Sequence, residues 1–153
     1  MDDKQIKFMD KERMEILHKE IDTIQLIIGR MQNNSFLLKA WTVSLIAVLL
    51  ALTKDTLVAT DLSYFNFVLL FPLLLFWYLD AFFLHKERCY RKLYDWVVAN
   101  RKNSDEHLYS LDYRIFTNEV PCIAALMFRN TLLLFYGGIA IVVLSIAVYN
   151  LIA

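Results

Sequence analysis

Glycine, proline and cysteine are all scarce in this chain, whose 153 residues include three Gly, two Pro and two Cys. Hydrophobic residues make up 58% of it, so the composition predicts one membrane domain with a modest soluble portion rather than two globular domains. Cys89 and Cys122 lie far apart, without the spacing of a metal site. We expect both thiols to stay reduced, as buried or half-buried side chains in cytosolic segments.

Net charge, catalytic or metal-binding motifs and an apolar N-terminal signal are missing altogether. The formal net charge is zero, so no global field attracts nucleic acid or anionic lipid. The sequence has no Gly-rich phosphate loop, no paired-cysteine motif and no HExxH, so we expect neither an enzyme nor a metal or cofactor. The chain opens with MDDKQIKFMDKER, which is charged rather than apolar and predicts no cleavable signal.

Long apolar runs are what the chain does have. Residues 62–84 are long enough to cross a bilayer as a helix, which takes about 20 apolar residues. Residues 36–52 form a shorter run and residues 131–153 a third one. The sequence therefore predicts an all-α integral membrane protein, in which a hairpin over 35–84 and a third helix over 131–153 supply three transmembrane helices.

An amphipathic helix is predicted over residues 1–34, before the first span. Its apolar residues are spaced alternately three and four apart, as in the a and d positions of a heptad: Met14, Leu17, Ile21, Ile24, Ile28 and Met31. The stripe has two interpretations. It packs on the protein's own second cytosolic helix, or it joins copies of the chain, in which case the isoleucines favour three or four strands over two.

Residues 85–130 are predicted to form a helical cytosolic insertion. Residues 85–102 have an amphipathic pattern, residues 103–118 look polar and irregular, and residues 119–130 indicate a short helix with Pro121 near its start.

The distribution of Lys and Arg predicts the orientation. Seven lie before or within the first span, eight between the second and third, one in the loop between the first and second, and none after the third. The positive-inside rule then places the N-terminus and residues 85–130 in the cytoplasm of a bacterial inner membrane, and the C-terminus outside.

Two charges lie within the apolar runs, Lys39 in the first and Asp80 in the second. A carboxylate at this depth costs roughly 2.5–3.5 kcal/mol unless it is paired or faces water. In a helical hairpin the two residues come to similar depth, so they form a structural ion pair in one interpretation. In the other, Asp80 contributes to an acidic ring at the entrance of an oligomeric pore.

A basic, aromatic-rich group follows the second span: Lys86, Arg88, Arg91, Lys92, Arg101, Lys102, Tyr109 and Tyr113. Three interpretations stay open for it. The cations act only as a topology signal, they contact anionic lipid, or they bind an anionic ligand. Proteins bind single-stranded nucleic acid through cations that lie along its phosphates and aromatic rings that stack on its bases.

Three runs of the sequence resemble a known group of proteins: NNSFLLKAWTVSL, FPLLLFWYLDAFFLHKERCYRKLYD and RNTLLLFYGG. The chain resembles a family of small bacterial three-helix membrane proteins similar to the membrane effector of the Hailong anti-phage system. That resemblance implies a homo-oligomeric, ion-conducting effector. It also implies a partner nucleotidyltransferase, whose nucleotide, oligodeoxyadenylate or single-stranded DNA product controls conduction.

A second function from a different class is also compatible with the residues. The chain would then be a non-conducting membrane anchor or assembly subunit that recruits a soluble partner through its N-terminal helix. Ion flux through the purified protein distinguishes the two functions.

Overall fold

The computed structural model describes residues 3–54, 62–101, 104, 106–108 and 110–152, with side chains described for 11–51, 70–101, 104, 106–108 and 110–148. All regular secondary structure in this part of the chain is helical, and it includes no strand. The all-α prediction is therefore confirmed.

Two long helices dominate the fold. The first, α1, spans Asp3–Lys54, and the second, α2, spans Leu62–Asn100. α1 continues through the polar residues 32–35, because the apolar stripe keeps its helical phase across them. α2 contains Pro72 in its interior and continues beyond residue 84, where no Gly or Pro interrupts it. The predicted second span and the amphipathic helix over 85–102 are thus one helix, which ends at Asn100.

The segment after α2 differs from its prediction. A 3₁₀ helix spans Tyr113–Glu119, and the Asp112 side chain caps it by accepting a hydrogen bond of 3.0 Å from the Arg114 N–H. The single helix predicted over 119–130 is wrong, since α3 spans only Ile123–Met127. Val120 is extended, with φ −108° and ψ 138°, because the residue before a proline is disfavoured in the α region. Pro121 therefore separates the two short helices.

The last helical segment is made of three consecutive pieces. α4 spans Asn130–Leu132, a π-helical turn spans Leu133–Gly137, and α5 spans Gly138–Ile152. π-helical turns are rare in proteins, but those that do occur are often found at functional sites.

Two helices among the described residues are long and apolar enough to cross a membrane, by length and composition: Lys11–Ala51 and Asn130–Val148. They contain most of the predicted first and third spans. The predicted middle span begins with residues whose side chains lie outside the described part, so its crossing of the membrane stays a prediction.

The chain divides into two compact units. The first unit consists of Met1–Gln32 and His85–Pro121. Its core is formed by Leu17 and Ile24 of α1 with Leu93 and Val97 of α2.

The apolar stripe of α1 is used inside this first unit. Besides Leu17 and Ile24, the stripe residues Ile21 and Ile28 pack half-buried against the same core. Met31 is half-buried and Met14 is exposed. The geometry favours the interpretation in which the stripe packs on the protein's own helix, and self-association through it stays a prediction.

The second unit consists of Asn33–Leu84 and Cys122–Ala153. Its main core draws on α2, α3 and the last helical segment: Leu73, Trp77, Ala81, Leu126, Leu132 and Tyr136. A smaller core joins Ile46 of α1 to Val143 of α5. Residues 122–130, which the sequence groups with the cytosolic insertion, lie in this unit because α3 packs Leu126 into its core.

Candidate functional site

Four side chains form a charged cluster in the second unit: Ser35, Lys39, Asp80 and Tyr136. The Asp80 carboxylate, whose side chain is 1% exposed, accepts from Lys39 Nζ at 2.5 Å. It also accepts from the Tyr136 hydroxyl at 3.1 Å and from Ser35 Oγ. Lys39 donates a further hydrogen bond of 2.8 Å to Ser35 Oγ. The buried carboxylate therefore has a cation and two hydroxyl donors.

α1 supplies two members of the charged cluster from one face. Ser35 and Lys39 are four residues apart, so they lie one above the other on the helix. Thr42, one turn further, is buried and donates to the Leu38 carbonyl of its own helix at 2.7 Å. A polar row on α1 thus faces into the second unit.

Tyr136 comes from the π-helical turn and is held by Trp77. Their rings stack with centroids 5.9 Å apart and planes 9° from parallel. The Trp77 indole N–H donates to the Met127 carbonyl at 2.9 Å, which fixes the ring on which Tyr136 rests. This bracing holds the phenol hydroxyl against Asp80.

The geometry of the single chain favours one of the two interpretations of Asp80. Its carboxylate is enclosed and its charge is matched by Lys39, as a structural ion pair requires. A residue of an acidic pore ring has to face water. The arrangement therefore supports the structural pair.

Three of the predicted ligand-binding cations lie together in the first unit. Arg88, Arg91 and Lys92 line a cavity of about 270 Å³, together with Asp95, Glu119, Val120 and Pro121. Glu119 lies 3.6 Å from Lys92, and Glu87 lies 2.8 Å from Arg91. We call this cavity the basic cavity, although acidic neighbours offset part of its charge.

The other predicted ligand-binding residues lie elsewhere. Lys86 lies 5.7 Å over the Tyr113 ring, which in turn packs on Tyr90 at 5.0 Å. Arg101 is buried and paired with Glu20 at 2.6 Å, so its guanidinium is used inside the first unit. Lys102 and Tyr109 lie outside the described residues. The structure therefore brings together only part of the predicted set.

A second, more polar cavity adjoins Arg91 and was not predicted. It has a volume of about 390 Å³ and is lined by Gln25, Ile28, Gly29, Gln32, Arg91, Tyr94 and Asp95. Its amides and its tyrosine come from two helices that are distant in sequence. The spacing of Gln25 and Gln32, seven residues apart on α1, was the one available signal, and it is too common to identify a site.

The two cysteines differ in accessibility. Cys89 is buried and Cys122 is exposed. Burial raises the pKa of the Cys89 thiol, an effect that a hydrogen bond with Thr117 partly opposes. Because the thiolate is the reactive form, Cys89 behaves as a small core side chain. Among the described residues, no three His, Cys, Asp or Glu side chains are grouped so that they could hold a metal ion.

Comparison with known proteins gives no match: no family model fits the chain, and no curated protein or solved structure is significantly similar to it. The interpretation of the charged cluster and the basic cavity therefore depends on their own geometry.

Proposed function

We propose that this chain is a homo-oligomeric effector of the bacterial inner membrane that conducts ions under the control of an anionic nucleotide or oligodeoxyadenylate signal. The observation that carries the proposal is the basic cavity of the first unit, whose Arg88 lies on the same helix, α2, as Asp80 of the charged cluster. Ionisable residues inside membrane segments are rare and expensive, and they are candidates for function by default, so we take the charged cluster as the element that a bound signal shifts and not as the ion path.

The exterior of the second unit supports a location in lipid. Many of its large apolar side chains are exposed, among them Phe36, Trp41, Val48, Phe71, Leu74, Leu134, Ile141 and Val148. So many exposed large apolar side chains are typical of a surface that contacts a membrane or another protein. The excess of Lys and Arg before the first apolar run and between the second and third supports a cytoplasmic first unit.

The basic cavity supports the proposed control by an anion. Arg88 lies eight positions after Asp80 on the same uninterrupted helix, α2, or about two turns further along. An anion bound at Arg88, Arg91 and Lys92 can therefore act on α2 itself. A small rotation or shift of this helix changes the position of Asp80 relative to Ser35, Lys39 and Tyr136, from which it accepts hydrogen bonds. The ion path is proposed to run between copies, because each chain encloses its own Asp80.

Ion flux tests the proposal. We expect purified protein in liposomes to pass a monovalent cation down its gradient, and a short oligodeoxyadenylate on the cytoplasmic side to change the rate. The control is Lys19→Glu, at an exposed position of α1, which should keep both the flux and the response. Absence of flux at every oligonucleotide concentration, from correctly inserted protein, would contradict conduction.

Salt dependence tests the basic cavity. If Arg88, Arg91 and Lys92 contact phosphates, the logarithm of the oligonucleotide binding constant should fall linearly with that of the salt concentration, by about 0.7 per neutralised phosphate. The triple replacement by Glu should weaken binding and flatten this slope. An unchanged slope in that variant would remove the basic cavity from the proposal.

A non-conducting anchor stays the second candidate, and the pairing of Asp80 inside one chain favours it. The stripe of α1 is packed within the first unit, so recruitment of a soluble partner would have to use other side chains. Leu26, Val98 and Ile115 are exposed apolar residues of that unit. Protein that inserts and assembles without passing ions would favour this function.

A further inference from the structure

An apolar groove of about 740 Å³ runs along the second unit between α1 and the last helical segment. Apolar residues of α1 and of the last helical segment line most of it, among them Val43, Ala47, Leu50, Leu134, Gly138 and Val142. Lys39 and Thr131 are its polar lining residues. Gly138 leaves the groove open, since a Cβ added there would meet no atom within 4 Å.

Both polar residues lie at the same end of the groove. α1 and the last helical segment run parallel here, because Lys39 and Tyr136 meet at Asp80 while Ile46 meets Val143 further along both helices. Lys39 and Thr131 are the first lining residues of their respective helices. The groove is therefore amphiphilic, polar at one end and apolar along the rest of its length.

The dimensions of the groove match a lipid chain. From Lys39 to Leu50, a helix rises about 16 Å at 1.5 Å per residue. This is close to one leaflet, or half of a hydrocarbon core about 30 Å thick. A groove of about 740 Å³ over that length has room for at least one hydrocarbon chain, since such chains approach to about 4 Å.

We propose that this groove binds the acyl chains of one phospholipid, with the ester and phosphate oxygens at the end formed by Lys39 and Thr131. The inference rests on the proposed membrane location of the second unit. The Lys39 side chain is 26% exposed, so part of it stays accessible to a head group although its ammonium is paired with Asp80. Thr131 is exposed at the same end and presents a hydroxyl donor.

The test compares matched tryptophan variants of full-length protein in bilayers of equal phosphatidylethanolamine and phosphatidylglycerol. After gentle release into detergent, native mass spectrometry counts the phospholipids retained by each chain. Val43→Trp fills the groove, and Val48→Trp is its control on the same helix, since Val43 and Val48 are similarly exposed, at 52% and 58%, but only Val43 lines the groove. Gly138→Leu blocks the opposite wall in a variant that leaves α1 unchanged.

The wild type and Val48→Trp are expected to retain one phospholipid per chain, and Val43→Trp and Gly138→Leu to lose it. Equal retention in all four proteins would overturn the groove as the binding site. Wild type without lipid, combined with a smaller oligomer for Val43→Trp, would show that a second copy fills the groove instead. Protein that carbonate washes from the membrane would overturn this inference together with the proposed function, whereas inserted protein without retained lipid would overturn the inference alone.

Discussion

Replacing Glu20 with Ala is expected to destabilise the first unit by about 3–5 kcal/mol, because it leaves a buried guanidinium without its counter-ion. The side chains of Arg101 and Glu20 are 3% and 4% exposed. Arg101 donates from Nε and Nη2 to the two carboxylate oxygens at 2.6 and 3.2 Å, and from Nη1 to the Glu106 carbonyl at 2.7 Å. Hydrogen exchange of α1 amides around residue 20 should become about a hundredfold faster or more.

The matched control for this variant is Glu15→Ala on the same helix. Glu15 pairs with Lys19 at 3.3 Å, but both side chains are largely exposed, so its loss should change stability by at most about 1 kcal/mol. The double variant Glu20→Leu with Arg101→Met should recover part of the loss, since it removes both charges. Equal exchange rates for Glu20→Ala and Glu15→Ala would contradict the assigned role of the buried pair.

Lys39→Met is expected to have an effect of similar size on the second unit, about 3–5 kcal/mol, since it leaves the Asp80 carboxylate buried without a cation. Asp80→Asn should cost less. Asparagine still accepts from Ser35 and Tyr136, and the partly exposed Lys39 ammonium can extend toward the surface. Thermal unfolding of the detergent-solubilised protein measures both effects.

The double variant Lys39→Met with Asp80→Leu should unfold close to the wild-type temperature, because it leaves neither charge buried alone. Lys19→Met is the exposed control and should leave the unfolding temperature almost unchanged. If the protein conducts, wild type and Asp80→Asn should also give the same reversal potential in an ion gradient. A lower cation preference in Asp80→Asn would place Asp80 in the pore and contradict the structural pair.

Periodicity and charge were enough to predict the helical class and the contact between Lys39 and Asp80. The two charges stand alone in apolar runs joined by a short loop, so a hairpin brings them to one depth. Ser35 and Tyr136 were missed as their partners. Ser35 precedes Lys39 by one turn, and this spacing could have predicted that it lies near Asp80. Tyr136 contacts Asp80 from a π-helical turn, which no local sequence pattern predicts.

Contacts between distant positions limited the prediction of the first unit. Arg101 was assigned to ligand binding as one of several cations, but its partner Glu20 is 81 residues away in sequence. The heptad pattern of α1 is equally compatible with a partner helix from another copy and with α2 of the same chain. The packing of Leu17 and Ile24 on Leu93 and Val97 favours α2 of the same chain, and self-association through the stripe stays a prediction.

The central claim, that the second unit crosses the membrane with the N-terminus inside and the C-terminus outside, is tested most directly by labelling with a membrane-impermeant maleimide. The background is Cys122→Ser, because Cys122 is exposed while Cys89 is buried with a raised thiol pKa. Ala153→Cys should react in intact spheroplasts, and Asp2→Cys only after they are permeabilised, while both proteins stay in the carbonate-washed membrane. Protein released by carbonate, or both cysteines reacting from the same side, would contradict the account.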